Sequence, residues 1–399
     1  MNILQQNRIR ADRKFRTLVR PTKKNENYRY TQIAESLKYE AEAEKPLPNL
    51  LFEGDGVVVV VRSENDRLQI LKGEIENKFI LEELKNLSDH LELSHLDLSG
   101  SLESDFFANE IISNKSTAIG MIVPDNTKIE EPIRIVHFFN EKTRCFPHRL
   151  VIVLGKNSSA RITEHFVSAG ENAAATSSGL TQITVKDAGQ LKYTRINEFS
   201  DETQFSHRIS FDIMKDASVH AADVSFGGKT GQTRVQGTLR EPGAEFFLSG
   251  TARARKEQNL DYWLESIHLA SNTNAHMEYC SIAEDEATVV FDGNIHIKKG
   301  SMNVDASQKN KNLVLSPRAN VYSIPKLEIA ADDVSCAHGT SIAPIDEDQV
   351  FYLESRGICR SDARALIING FNSSVLAKIE IEGLRKAIYR KNAKKREQI

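Results

Sequence analysis

Apolar and polar residues alternate in short runs over the middle of this chain, from about residue 124 to about residue 335. Runs of about five to eight residues with strand composition follow one another, and short polar turns separate them. Typical runs are IRIVHFF, ARITEHFV, RISFDIM, VHAADVSF and TVVFDGNIHI. Such β-branched and aromatic runs favour extended backbone, and no helical period of useful length interrupts them. The pattern therefore predicts a long region of β-strands.

The turns between these runs recur at a regular spacing. GKNSSA, KDAG, KDAS, EPGA and SNTNA place a small residue near positions 160, 188, 217, 244 and 275, an interval of about 27 to 31 residues. A repeated strand–turn unit without intervening helices is typical of a β-solenoid, whose stacked coils share one continuous core. A pair of β-sandwiches is the alternative. No linker interrupts residues 124–335, which favours one elongated solenoid.

The residues before this region have a mixed pattern. TQIAESLKYEAEAEK predicts a helix that begins at Thr31 and ends before Pro46 and Pro48. VVVVV and RLQILKG predict short strands, and LEELKNLSDHLE and DFFANEII predict two further helical segments. Because the ends of a solenoid expose strand edges, we expect helical segments at both ends to cap it.

A helical pattern returns after Pro344. Asp346 is a candidate N-cap, with Gln349 three residues later as its capping-box partner. Val350, Phe351 and Leu353 are expected to supply the apolar contacts of this helix. Gly357 is suited to end it, because glycine accepts the left-handed conformation common after a helix.

Ser361 is expected to cap a second helix, which carries one apolar stripe. The stripe consists of Ala363, Leu366, Ile367, Gly370 and Phe371. A third helix is expected over residues 373–390. The patterns together predict a mainly β protein with a mostly helical N-terminal domain over 1–120, a solenoid core over 121–340 and a C-terminal helical domain over 341–399.

Composition narrows the classes of function. The formal net charge is −3, which argues against a nucleic-acid-binding protein that works through its overall charge. No apolar run approaches the roughly 18 residues of a membrane span. The four cysteines are spread along the chain without a Cys-x-x-Cys pair, which fits a reducing compartment such as the cytoplasm. The basic N-terminus leaves an organelle targeting segment as an alternative.

Two short motifs invite a chemical interpretation, and the first is GGKT at residues 227–230. A phosphate-binding loop requires an earlier glycine where this chain has Asp223, and a helix should follow, whereas the flanks here are strand-like. We interpret GGKT as a turn, and no nucleotide site is predicted.

The second motif is Cys336-Ala337-His338, at the end of the last strand run. In a strand, residues i and i+2 point to one face, so the thiol and the imidazole would lie side by side. These ligands suit iron, zinc or iron–sulfur chemistry, but two are too few for a closed site, so a partner chain would complete it. A Cys–His nucleophilic pair is an alternative, and so is a purely structural role for both residues.

The eleven histidines form no HxxxH or HExxH motif, so the sequence contains no local metal site. The strands of a solenoid can nevertheless bring distant histidines together. Glu164 with His165, and Glu278 near Cys280, are each expected to be core or surface residues.

The segment LEIAADDVSCAHGTSIAPIDEDQVFYLESRGI, at 327–358, resembles the C-terminal signature of the SufB/SufD family of iron–sulfur cluster assembly proteins. The resemblance extends over DASQKNKNLVLSPRANVYSIPKLEI at 305–329, EEPIRIVHFF, RLVIVLGKNSSARITEHF and a degenerate DFFANEIISNKSTA. NYRYTQIAESL at 27–37 also resembles an N-terminal helix of the family. The Cys-x-His-Gly form at 336–339 is the SufD form, whereas SufB has Glu-His-Glu-Ala there.

The resemblance implies a right-handed parallel β-helix between helical domains. It implies a non-catalytic scaffold subunit of the SufBCD complex, which pairs with SufB through the β-helix and binds the ATPase SufC through its C-terminal helices. A nascent iron–sulfur cluster would be shared transiently with SufB at His338, and Cys336 is the weaker candidate ligand. The residues expected to contact SufC are Phe351, Leu353, Leu366 and Phe371. A homodimer is expected when the partners are absent.

Two alternatives to this function stay open at this point. One is a SufB-like paralogue of the same complex. The other is a stand-alone β-solenoid enzyme that acts on a polysaccharide, but such an enzyme would display a cluster of carboxylates along one face, and no evenly spaced set of Asp and Glu is present.

Overall fold

The computed structural model describes residues 2–22, 57–62, 68–72, 78–113, 117–139, 146–168, 174–379 and 381–393. The helix predicted from Thr31 to Pro46 and the family-like segment 27–37 lie outside these residues. The helices are α1 Ile3–Phe15, α2 Phe106–Ser113, α3 Glu347–Ser355, α4 Arg360–Leu376 and α5 Glu382–Ala393.

The strands of the first part of the chain are β1 Val57–Arg62, β2 Leu68–Lys72, β3 Ile80–Glu83, β4 Thr117–Val123, β5 Ile133–Phe139, β6 Phe146–Leu154, β7 Ser159–Ser168, β8 Thr176–Val185, β9 Gln190–Glu198 and β10 Gln204–Ile213. The later strands are β11 Ser218–Phe226, β12 Thr230–Leu239, β13 Glu245–Ala254, β14 Asn259–His268, β15 Asn274–Ala283, β16 Thr288–Ile297, β17 Val304–Val314, β18 Asn320–Ile329 and β19 Val334–Pro344.

The strands form two sheets that the chain visits in turn. Odd-numbered strands from β5 to β19 stack in order in one sheet, here called the odd sheet, with β1 and β2 at its far end. Even-numbered strands from β4 to β18 form the even sheet, with β3 at its far end. Every pair from β4 onward within a sheet is parallel. This arrangement confirms the predicted parallel β-solenoid, because a β-sandwich is built from antiparallel strands.

The register of the strands reproduces the spacing of the turns. Gln190 pairs with Ser218, Ser218 with Glu245 and Glu245 with Asn274, so equivalent positions lie 28, 27 and 29 residues apart. The strand segments predicted at VVVVV and RLQILKG are β1 and β2. The GGKT segment forms the connection between β11 and β12, as predicted. A Cβ atom on Gly227 would come within 1.9 Å of the Phe199 carbonyl oxygen, so only glycine fits there.

One apolar cluster fills the solenoid from Val59 in β1 to Ala306 in β17. Its members recur at the same register position in successive coils. One such row in the odd sheet consists of Leu191, Val219, Phe246, Ala275 and Ala306, each almost fully buried. No coil could bury its inward face alone, so each strand is stabilised mainly by the coils on either side of it.

The N-terminal elements cover the outer face of the even sheet. Ala108, Ile111 and Ile112 of α2 pack against Ala11 of α1 and Leu180 of β8, so the helix predicted from DFFANEII is confirmed. The helix predicted over 81–92 is wrong. The segment begins as β3, an antiparallel edge strand beside β4, and continues in 3₁₀ turns.

The apolar residues of that segment are still buried, which explains why its pattern suggested a helix. Leu84, Leu87 and Leu91 pack against Val151 and Val153 on the outer face of β6. Edge pairing with β4 extends the first residues of the segment. The leucines that follow reach β6 from a 3₁₀ turn and the residues after it, and not from a regular α-helix.

The C-terminal helices cover the outer face of the odd sheet. The prediction that they cap the last coil is wrong for the described residues, because β18 and β19 stay at the ends of their sheets and residues 337–344 are exposed. Asp346 caps α3, and its side chain accepts hydrogen bonds from the backbone N–H groups of Asp348 and Gln349. Gly357 follows the end of α3 with φ of 85°, as predicted. Ser361 is the predicted N-cap of α4, and this prediction is wrong. Cys359 holds that position in extended backbone, so Ser361 lies in the first turn.

The boundary predicted between the second and third helices is also wrong. Residues 373–376 continue α4, because Val375 and Leu376 extend its buried face. The third helix, α5, begins only at Glu382. Leu376 and Ile379 join α5 residues in a cluster on the outer face of the odd sheet, whose solenoid members are Ile196, Ala222, Val224 and Phe226. The domain boundaries at 120/121 and 340/341 stay predictions.

Asp105 fastens the N-terminal elements to the even sheet. It precedes α2 and accepts a hydrogen bond from the Ala108 N–H at 2.9 Å. Its carboxylate lies 2.8 Å from Nε of Arg208 and 3.3 Å from a guanidinium nitrogen of Arg234, and all three side chains are buried. Burial by itself would raise the pKa of Asp105, but the charges of the two arginines lower it to about 2.

We expect Asp105→Ala to lower the free energy of unfolding by about 3–5 kcal/mol, because two guanidinium groups would stay buried without their anion. Denaturant unfolding measures this loss. The folded-state pKa lies below the unfolded value of about 3.9, so the stabilisation is present above that pH and is lost as the pH falls towards 2. Asp12→Ala, which breaks an exposed pair with Arg16, is the control and should cost under about 0.5 kcal/mol. An equally small loss for Asp105→Ala would contradict the anchoring role.

Candidate functional site at the open end of the solenoid

The solenoid ends at β18 and β19, which are the outermost strands of the two sheets. Among the described residues, no further strand pairs with them, so one edge of each presents its backbone N–H and C=O groups. Residues 337–344 of β19 are all exposed, whereas the equivalent residues of β15 are buried except for His276 and Glu278, which are partly exposed. Tyr322, Ile329 and Ile342 lie exposed on the same two strands. An open strand edge with apolar side chains is a surface suited to pairing with another chain.

Cys336 and His338 lie on β19 at this open end. Cys336 pairs in register with Ala306, and His338 with Gln308, and both of those β17 residues are buried. The two side chains therefore continue rows that face inward in the earlier coils. The row of His338 consists of Ile162, Tyr193, Ala221, Leu248, Met277 and Gln308. The register places both residues on one side of β19, as the i, i+2 spacing predicts.

The two residues differ in exposure. Cys336 is half-buried against the apolar core, while His338 is exposed because no coil follows to cover it. Burial, and then the negative charge of Asp305, raise the pKa of the Cys336 thiol. A metal ion would have to displace the thiol proton, so the exposed imidazole is the more available ligand.

The interior of the last coils is polar, which sequence reasoning missed. The Ser323 hydroxyl donates to the Asn310 side chain at 2.8 Å and lies 3.1 Å from the Thr340 hydroxyl. Asn312 donates to the Ser341 carbonyl at 3.1 Å. The signal was present in β17, where the polar residues Gln308, Asn310 and Asn312 stand at alternating positions. The position of Gln308 carries an apolar residue in each earlier coil from β7 onward. The apolar core therefore gives way to hydrogen-bonding groups beside His338.

The hairpin of α3 and α4 presents a second candidate surface. Phe351 is 71% exposed and Leu366 is 52% exposed, and Tyr352 beside them is 57% exposed. Leu353 and Phe371 instead pack inward, in a cluster with Ile282 and Leu313 of the solenoid and Val350, Ala363 and Ile368 of the helices. The four residues predicted to contact a partner thus divide into two that face outward and two that hold the hairpin in place.

Ion pairs fix the two helices of this hairpin against each other. Arg364 reaches the Glu347 carboxylate at 2.8 Å, and Arg360 contacts the same carboxylate and lies 3.2 Å from Glu354. These exposed ion pairs add to the apolar packing that holds the hairpin against the solenoid.

Glu278 of β15 fastens α4 to the solenoid. Its carboxylate accepts hydrogen bonds from Ser374 at 3.0 Å and Lys378 at 2.7 Å, both from the C-terminal segment, and from Lys311 of β17 at 3.2 Å. Burial works to raise the pKa of Glu278, but the bonds to Lys378 and Ser374 lower it to about 2. Burial raises the pKa of the neighbouring Cys280 thiol to about 11. Cys280 is a buried core residue, and Glu278 is a partly buried residue between the solenoid and α4.

This fold is a parallel β-solenoid with helices along both outer faces and an open, polar end that carries a Cys-x-His pair. A model of the family "SUF system FeS cluster assembly, SufBD core domain" matches residues 137–371. That match covers more than half of the chain, so the protein belongs to the SufBD family.

Curated relatives agree with this assignment. The chain is 26% identical to Protein ABCI7, chloroplastic, of Arabidopsis thaliana, over 92% of this chain and 80% of the relative. It is 26% identical to the iron–sulfur cluster assembly protein SufD of Escherichia coli, over 73% of this chain and 70% of the relative. It is 25% identical to SufB of Bacillus subtilis, over 62% of this chain and 54% of the relative.

None of the helices in the described part of the chain combines the length and the apolar character that a membrane crossing requires.

We expect Glu278→Ala to loosen the C-terminal helices from the solenoid, because Lys311, Ser374 and Lys378 lose their shared acceptor. Amides of α4 should exchange about tenfold faster or more, as a hydrogen bond to a charged group contributes about 1.5–3 kcal/mol. Hydrogen–deuterium exchange with mass spectrometry measures the rates. Glu286→Ala, which breaks an exposed pair with Arg318, is the control and should leave α4 unchanged. Unaltered exchange of α4 in Glu278→Ala would show that apolar packing alone holds the helix.

Proposed function

We propose that this protein is a SufD-type, non-catalytic scaffold subunit of a SufBCD complex that assembles iron–sulfur clusters. The observation that carries the proposal is the position of the Cys336-Ala337-His338-Gly339 signature on the open last strand of the solenoid. The relatives named SufD support it. A SufB-like role is the second candidate, because SufB of Bacillus subtilis is also a relative. The Cys-x-His-Gly form favours the SufD side.

The open edges of β18 and β19 suit a partner that continues the two sheets. A SufB subunit of the same fold would present strands of matching length and pleat, and its backbone groups would satisfy those left at the edge. The exposed Tyr322 and Ile342 would be buried by the same contact. The edge can also pair with its own copy, which supports a homodimer in the absence of SufB.

The nascent cluster is the cargo of this complex, and His338 is the residue proposed to receive it. One imidazole and one half-buried thiol cannot hold a cluster alone, so SufB would contribute the remaining ligands at the interface. Cys336 is the weaker candidate because burial favours its protonated form. Ser323 and Thr340, at the polar end of the interior, would offer hydroxyl groups that can hydrogen-bond to the cluster.

The α3–α4 hairpin is proposed to dock the SufC ATPase. Phe351 and Leu366 provide an exposed apolar contact on a support braced by ion pairs, which is the usual character of an interface anchor. Leu353 and Phe371 contribute indirectly, because their packing sets the position of the hairpin. The cytoplasm is the proposed compartment, and the chloroplast name of one relative makes an organelle the alternative.

We expect His338→Ala to leave the fold and the complex intact and to lower cluster assembly at least about tenfold, because an exposed ligand is removed and no core contact is lost. Anaerobic reconstitution of the co-purified complex, followed by transfer to an apo acceptor, measures assembly. His276→Ala, a partly exposed histidine on β15, is the matched control. Normal assembly in His338→Ala would contradict a ligand role.

We expect Phe351→Asp to weaken SufC binding by about 2 kcal/mol or more, because a charge would replace an apolar anchor. Titration of SufC against the purified chain measures the affinity. Leu269→Asp changes a similarly apolar and exposed residue on the connection after β14, and it should bind SufC normally. Equal affinities for the two variants would place the SufC contact elsewhere.

A further inference from the structure

Three buried side chains from consecutive strands meet inside the first coils of the solenoid. They are His137 of β5, His148 of β6 and Glu164 of β7, and each is at most 2% exposed. One potential ligand atom from each residue lies within 4.8 Å of the other two. No local sequence motif joins these residues, because the turn of the coil brings them together.

The distances are close to those of a metal centre. Nε2 of His137 lies 2.8 Å from Oε1 of Glu164. Two ligand atoms bound to one tetrahedral Zn²⁺ at about 2.0–2.2 Å stand roughly 3.3 Å apart. This value lies between the 2.8 Å that separates His137 from Glu164 and the 4.8 Å within which all three ligand atoms lie. Small side-chain rotations would therefore place all three atoms around one ion.

Neighbouring residues already orient the carboxylate. The other oxygen, Oε2 of Glu164, accepts hydrogen bonds from the Thr181 hydroxyl at 2.8 Å and from the Tyr193 hydroxyl. These bonds direct Oε1 towards His137. Metal-binding carboxylates are commonly held by such outer hydrogen bonds. The nearest buried cation in the register, Arg195, donates instead to Asp223.

Packing keeps the two imidazole rings beside each other and beside Glu164. Phe166 stacks on His137 with ring centres 4.5 Å apart and planes 8° apart. Gly179 faces the His148 ring, and a Cβ atom there would come within 2.2 Å of it. A glycine at this position of β8 therefore makes the space that His148 occupies. His148 lies 4.6 Å from His137 between ring centres.

We propose that His137, His148 and Glu164 form an internal binding site for a divalent first-row transition metal ion. Two imidazoles and one carboxylate select ions such as Zn²⁺ or Fe²⁺ over Mg²⁺ and Ca²⁺, which prefer oxygen ligands. The site lies in the first coils, whereas His338 lies on the last strand. The proposal goes beyond the scaffold function and does not depend on it.

Enclosure of the site has a kinetic consequence. With all three ligands buried, an ion can enter or leave only when the coils open locally, so exchange is slow. Metal bound during folding should then survive desalting. It should also raise the thermal stability of the chain, because the ion binds the folded state and not the unfolded one.

The test uses the full chain, refolded with Co²⁺ or Zn²⁺ after chelator treatment and then desalted. We expect about one retained ion per chain, a visible Co²⁺ spectrum of nitrogen and oxygen coordination without thiolate bands, and a raised Tm. Glu164→Gln should lower the affinity at least about 100-fold, and Thr181→Val, which removes only an outer hydrogen bond, about tenfold.

His268→Gln, which changes a buried histidine far along the solenoid, is the matched control and should retain the ion. Cys336→Ser with His338→Ala removes the ligand pair at the open end and should also retain it. No retained ion in the wild-type chain would overturn the proposal, even if Glu164→Gln fails to fold. So would retention by both Glu164→Gln and Thr181→Val with wild-type affinity, or loss only in the Cys336→Ser and His338→Ala variant. Cluster assembly is measured separately, so failure here leaves the scaffold function untouched.

Discussion

The structure depends on one interaction, the parallel pairing of each strand with the equivalent strand one coil away. It aligns inward positions into rows, and a row is buried only while another coil follows. The same rule that makes Ala306 and Gln308 interior residues leaves Cys336 half-buried and His338 exposed, because β19 has no successor in the described chain. The exposed His338 and the open strand edge therefore have the same cause, because both result from β19 being the last strand of its sheet.

The helices complete this arrangement without closing that end. The N-terminal elements cover the even sheet through Asp105 and its two arginines, and the C-terminal helices cover the odd sheet through apolar clusters and Glu278. The chain itself therefore covers part of both outer faces. Among the described residues, the last coil and the outer side of the α3–α4 hairpin stay uncovered, and these are the surfaces that we propose bind partners.

The sequence predicted the solenoid because its signal repeats: short apolar runs and turns recur every 27 to 31 residues, and many coils reinforce one interpretation. The elements outside the solenoid have no such repeat, and two of them are predicted wrongly. Leu84, Leu87 and Leu91 have helical spacing, yet edge pairing at β3 overrides it. The end of α4 was misplaced because Val375 and Leu376 prolong its buried face, which depends on contacts with the odd sheet.

The candidate sites divide in the same way. Cys336 and His338 were found because they are neighbours in sequence and strand geometry fixes their relation. The alternating polar residues of β17 are visible in the sequence, but the contact of Asn310 with Ser323 depends on which strands stack. The group of His137, His148 and Glu164 depends on the same stacking, and no local spacing encodes it.

We propose that SufB binds at the open edge of β18 and β19. Hydrogen–deuterium exchange of the dilute chain, alone and with SufB, tests this most directly. We expect fast exchange of β18 and β19 amides in the free chain and strong protection in the complex, while β10 to β14 stay protected in both. Unchanged exchange of β18 and β19 in a complex that has formed would contradict it.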